Sequence, residues 1–150
     1  MSSATFPVVE ATIGGIHAAF RGGRLTCRAL VEAYLARIAA HDRAGARLNS
    51  VITVNPAVLE EADRLDSSFA ATGQFAGPLH GIPVAVKDQA ETMGIETTFG
   101  SIAFDGYMPA ADAHAITRLK AAAAPSCCPR PRCRTSRHPG SASAPSLARR

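Results

Sequence analysis

Gly77-Pro78-Leu79-His80-Gly81-Ile82-Pro83-Val84-Ala85-Val86-Lys87-Asp88 is the stretch on which the reading of this chain turns. Its two Gly and two Pro shape a tight entry into an apolar run. The run Ile82–Val86 predicts a strand of continuous apolar character, as expected for one buried on both faces. That strand ends on a Lys-Asp pair. A lysine at the end of an apolar strand either reaches water along its stem or is desolvated among polar partners. Desolvation favours the neutral amine, which can act as a base. The residues alone leave both readings of Lys87 open.

Upstream, the chain reads as helices alternating with short strands. Ile13, Ile16 and Phe20 keep a helical rhythm within Val9–Phe20, and Gly22-Gly23 stops it. Thr26 is the expected N-cap of a second helix through Ala40, with Leu30, Val31, Tyr34, Leu35 and Ile38 on its core stripe. The β-branched run Ser50–Val54 predicts a short strand. Asn55-Pro56 then opens a helix through about Ala70, whose acidic residues Glu60, Glu61, Asp63 and Asp66 read as a solvated face. Downstream, Thr97–Phe104 fits strand or loop, and Asp112 is the expected cap of a last helix carrying Ala115, Ile116 and Leu119. Strands separated by helices predict an α/β layered fold.

The Gly77–Asp88 block closely resembles the G-P-L-x-G-I-P-x-x-V-K-D block of the amidase signature family. The likeness continues through Gly94, Thr97-Thr98, Gly100-Ser101, Gly106-Tyr107, Pro109, Asp112-Ala113 and Arg118-Leu119. Upstream it includes Leu25-Thr26, Leu30-Val31, Tyr34-Leu35, Ile38 and Leu48-Asn49-Ser50-Val51, so that it covers residues 9–122. Ordered Gly, Pro and Lys-Asp positions are far harder to meet by chance than a lone glycine motif. The resemblance implies an α/β fold with a mixed sheet flanked by helices. Of that fold the chain holds an incomplete N-terminal part.

It further implies hydrolysis of carboxylic amide C–N bonds in a small-molecule substrate, by a Ser–Ser–Lys triad that needs no cofactor or metal. In such a triad one serine attacks the carbonyl, and a second, on a cis peptide bond, bridges it to the lysine. Backbone N–H groups hold the oxyanion. A neutral lysine in a dry site takes the proton through the bridging hydroxyl. Lys87 matches the family's lysine and is the catalytic residue expected here. The two serines lie well downstream of the lysine in the family, and no segment of this chain matches them. Ser101 is not at a triad position, and Gly140-Ser141-Ala142-Ser143 has no flanking strand. The 150-residue chain is therefore expected not to work as an amidase by itself.

Charge divides the chain at the same place. Residues 1–120 carry ten basic and twelve acidic residues, net −2, whereas residues 121–150 carry six Arg and no acid. The last thirty residues also hold Cys127, Cys128 and Cys133, five of the ten Pro, and no aromatic. The expected organisation is an amidase portion over residues 1–122 and a disordered basic tail over 123–150. Regrouping the codons from Ala124 by one base can spell an apolar run followed by Lys-Thr and Pro-Asp-Phe, close to the family's own continuation. A reading-frame shift near residue 123 is the expectation that follows.

Other readings of the tail are weaker. Adjacent Cys127-Cys128 followed by a four-residue gap is poor zinc spacing, even with His138. Six Arg without aromatics or a presenting helix make a poor nucleic-acid site, although a non-catalytic module with an anion-binding tail is the competing function. A component of an amidotransferase assembly is the other alternative. No run of eighteen apolar residues exists to span a membrane. The lone body cysteine, Cys27, and the absence of an export signal suggest a cytoplasmic protein.

Overall fold

A computed structural model describes residues 6–123. The basic tail, with the zinc, nucleic-acid and reading-frame expectations attached to it, lies outside the described residues from 124 onward. The regular elements are helices: α1 (Ile13–Arg21), α2 (Cys27–Arg37), α3 (Val58–Thr72) and α4 (His114–Ala123). A wide π-type turn, Ile38–Arg43, prolongs α2, and a single 3-10 turn spans Ile102–Phe104.

Local signals place the helices. Thr12 Oγ1 accepts the Gly15 N–H at the start of α1, and Thr26 Oγ1 accepts the Ala29 N–H at the start of α2. Between them Gly23, at φ +63°, takes the left-handed conformation that stops α1, while Gly22 stays right-handed. Ile16, Phe20, Cys27, Leu30, Val31 and Ala62 form the core where α1, α2 and α3 meet. Ile13 is not part of it; it is 45% exposed, because the helix begins there rather than at Val9. The third helix starts at Val58 with Ala57 as its N-cap, later than the Asn55-Pro56 start expected. Asn55 instead forms the turn before it, accepting the Ala57 N–H on its side chain and the Val58 N–H on its carbonyl.

The expected strands are corrected. Neither Ser50–Val54 nor Ile82–Val86 is a strand among the described residues. A strand is defined by a ladder, and each run lacks a paired neighbour. The first run is instead tied to the end of the π turn. Asp42, 5% exposed, accepts N–H groups of Ser50 and Val51, and Arg43 donates to the carbonyls of Val51 and Ile52. In the second run, residues 83–86 make no backbone–backbone hydrogen bond to described residues. Val84 and Val86 are 49% and 44% exposed, so the expected burial on both faces is not met. Thr97–Phe104 resolves as loop and 3-10 turn.

Candidate active site

The candidate block divides into a buried half and a presented half. In the buried half, Gly77–Gly81 forms turns closed by the Gly77 carbonyl accepting the His80 N–H and the Leu79 carbonyl accepting the Ile82 N–H, both at 3.1 Å. These turns drive His80 into the core, where it is fully buried. Its ring stacks on Phe75 at a 5.0 Å centroid distance and meets Phe20 edge-on. Nδ1 accepts the Ala76 N–H at 3.2 Å, which puts the ring proton on Nε2, 3.8 Å from Cys27 Sγ. The His80 carbonyl in turn accepts from His17 Nε2 at 3.0 Å. Burial, then the neighbouring His17, holds His80 below the usual imidazole range, with Asp66 opposing in part.

Gly81 follows with φ +67°. A Cβ there would collide with Cys27 Sγ and would lie 2.9 Å from Phe20 Cε2. Glycine is therefore demanded twice, by the backbone angle and by the close approach of the chain to α1 and α2. The buried Cys27 thiol is pushed far up, first by burial and then by the neighbouring Asp66 carboxylate, which favours the protonated thiol.

In the presented half, the chain leaves Ile82, runs exposed through Val86 and delivers Lys87 into solvent. Of the two readings of an apolar-strand lysine, this structure has the exposed one. The Lys87 carbonyl accepts the Ala90 N–H at 2.9 Å, closing a turn. Asp88 in that turn reaches across to another loop. Its carboxylate accepts the Thr98 N–H (3.0 Å), the Thr98 hydroxyl (2.6 Å) and the Gly100 N–H (3.1 Å). These bonds, Thr98 hydroxyl foremost, hold its carboxyl below the ordinary carboxylate range, and the Lys87 charge adds to them. The receiving loop is itself anchored: Thr97 is buried and its N–H donates to the Tyr107 carbonyl, while Tyr107 Oη donates to Glu91 at 2.8 Å.

Asp112 does not cap α4. Its carboxylate accepts the Met93 N–H and two contacts from Lys120 Nζ at 2.8 and 2.9 Å. Asp66 also departs from the solvated face expected of it. It accepts the Cys27 and Arg28 N–H groups at 2.7 and 3.0 Å and so caps α2 from α3. Sequence reasoning gave no role to His80, placed Asp66 on a solvated face, and named Asp88 only as the end of the Lys-Asp pair. The signal for Asp88 was Thr97-Thr98 and Gly100 in the family-like stretch downstream of the block; Asp66 and His80 carried none outside their tertiary contacts.

A cleft of about 350 Å³ lies beside Phe20, Leu25, Cys27, Asp66, Phe69 and His80. Lys87 is not among its lining residues, so this hollow belongs to the core packing and not to the lysine. Among the described residues, no three His, Cys, Asp or Glu side chains converge as a metal site, and no helix is long and apolar enough to cross a membrane.

Comparison with known proteins now places this arrangement. The family described as Amidase matches residues 29–129. A probable amidase of Arabidopsis thaliana is 39% identical over 120 residues, which is 79% of this chain and 23% of that protein. A glutamyl-tRNA(Gln) amidotransferase subunit of Anaeromyxobacter sp. (strain K) is 43% identical over 95 residues, 63% of this chain and 19% of that protein. The solved native peptide amidase of Stenotrophomonas maltophilia superposes with a TM-score of 0.73 at 41% identity, over 79% of this chain and 24% of its own. Over that span the backbone is that of an amidase fold. The chain belongs to the amidase family, and it spans about a quarter or less of the length of the relatives it matches.

Proposed function

We propose that this chain carries the lysine of an amide-hydrolysing Ser–Ser–Lys centre, with Lys87 as the base. The observation that supports this most is the Gly77–Asp88 block, which lies inside the family match and carries, next to its end, an exposed lysine held in a closed turn. In this reading the mixed sheet and both serines belong to the remaining three quarters of an amidase-length chain. Lys87 loses its exposure when that part covers the turn, and the dry site then favours the neutral amine as proton acceptor. The basic tail is the product of a shifted reading frame, which the genomic sequence downstream of residue 120 tests.

The purified 150-residue chain is expected to show no hydrolysis of simple amides. A chimera in which it replaces the corresponding quarter of the Stenotrophomonas maltophilia peptide amidase is expected to be active. In that chimera Lys87→Ala lowers kcat by about 10³-fold with little change in KM. Activity of the isolated chain that depends on Lys87 would refute the division of labour, and an active Lys87→Ala chimera would refute the lysine assignment.

A second reading rests on the 43% identity to the amidotransferase relative. Here the same lysine chemistry serves within an assembly of several chains, and the substrate amide is supplied to that assembly. Co-purification of the completed chain with partner proteins distinguishes it from a stand-alone amidase.

A further inference from the structure

We infer that Asp88 is a positioning residue for Lys87, tying the turn that presents the amine to the 98–100 loop and fixing a carboxylate at the next position in the chain. This rests on the lysine assignment proposed above. The geometry around the block leads to it. On its N-terminal side Lys87 has a free-running approach, since residues 83–86 make no backbone–backbone hydrogen bond to described residues. The nearest anchor in that direction is Ile82, which packs against the core and donates its N–H to the Leu79 carbonyl, directly after the buried His80-Gly81 pair. Everything else that fixes Lys87 lies on its C-terminal side, in the 87–90 turn and the Asp88 carboxylate.

That carboxylate is held unusually well for a half-exposed group. Three donors from one short loop converge on it, two of them backbone N–H groups flanking Phe99. Phe99 and Gly100 both have positive φ, +52° and +70°. A left-handed phenylalanine is unfavourable by about 1 kcal/mol or more, and a loop holds it only where other bonds over-determine the backbone. The Asp88 carboxylate supplies those bonds: the loop is wrapped around its charge. A charge so fixed, one residue from the amine, favours one presentation of Lys87 over the many open to a lysine on a free strand.

The chain offers a direct test, because Lys87 and Lys120 are its only lysines. Lys120, paired with Asp112, serves as internal reference. The chain is treated with limiting acetic anhydride at about pH 8, and acetylation at the two lysines is compared by mass spectrometry. Asp88→Asn is expected to raise Lys87 labelling relative to Lys120 by about threefold, the size of one unit-charge interaction over several solvated ångströms. Asp88→Glu, which keeps the charge, restores most of the wild-type ratio. Thr98→Val removes one clamp bond but not the charge, and leaves the ratio unchanged while speeding amide exchange at Gly100.

An unchanged ratio in Asp88→Asn overturns the proposal. So does a Thr98→Val ratio that rises as far as Asp88→Asn, since loop loosening would then explain both. If Asp88→Asn does not fold, salt replaces it: about 1 M NaCl screens the Asp88 charge and is expected to raise the absolute labelling rate at Lys87, and a flat rate overturns the proposal. No amidase activity is read, so the result is independent of whether Lys87→Ala silences the chimera.

Discussion

A buried imidazole joins the amidase block to the helices. His80 touches Phe20 and His17 of α1, Cys27 of α2 and Phe69 of α3, and its Nδ1 takes a backbone proton from Ala76. Burial, then the neighbouring His17, holds its folded state below the ordinary value of 6.5, with Asp66 opposing in part. The sign follows: as pH falls through about 6.5 the unfolded chain takes up the proton first, so stability drops until pH passes the lower folded value. A urea midpoint that falls between about pH 7.5 and 5.5 is expected. His80→Phe should be less stable at the higher pH, having orphaned the Ala76 N–H, and should show a flatter pH dependence. A midpoint equally steep in both proteins would rule out His80 as the source.

At the scale of elements, α2 begins with two caps of different origin. Thr26 is local and was legible, because a side chain three residues from its target needs no tertiary structure. Asp66 comes from α3, thirty-nine residues from Cys27, and its role exists only where the two helices pack. Carboxylate at a helix N-terminus also meets the positive end of the helix dipole. Asp66→Ala is expected to cost about 2 kcal/mol, because two backbone donors lose their partner. Asp63→Ala, which breaks only an exposed pair with Arg28, should cost under about 0.5 kcal/mol. Equal losses in chemical denaturation would show that the capping account is wrong.

Across the whole molecule, apolar side chains outside the helical core face solvent. Val84, Val86, Met93, Ile102 and Met108 are each at least 44% exposed. In the solved relatives the same backbone is about a quarter of a much larger chain, so the surface exposed here matches what a larger fold can cover. Exposed apolar runs with unpaired backbone are sticky. The isolated chain is expected to self-associate, and Val84→Ser with Val86→Ser should lower its apparent mass in light scattering. That double change should shift stability to urea by no more than about 0.5 kcal/mol, since neither side chain is buried. Unchanged association would place the contact elsewhere.

Sequence alone determined that four helices form, most of the core stripe of the second, and the family, but not the helix starts or every stripe residue: Ile13 and Ala115 face solvent. Those depend on short-range periodicity, on caps within one turn and on an ordered motif from Gly77 to Asp88. It also singled out Lys87, through the motif. It misjudged Ser50–Val54 and Ile82–Val86, because β-branched composition reports a preference for extended backbone, whereas a strand needs a neighbour. Only the tertiary structure decided that Asp66 serves α2, that His80 is the core's polar centre and that Asp88 clamps the Thr98–Gly100 loop. Each of these is a polar group satisfied by a partner distant in sequence, and no local pattern encodes where such a partner will fall.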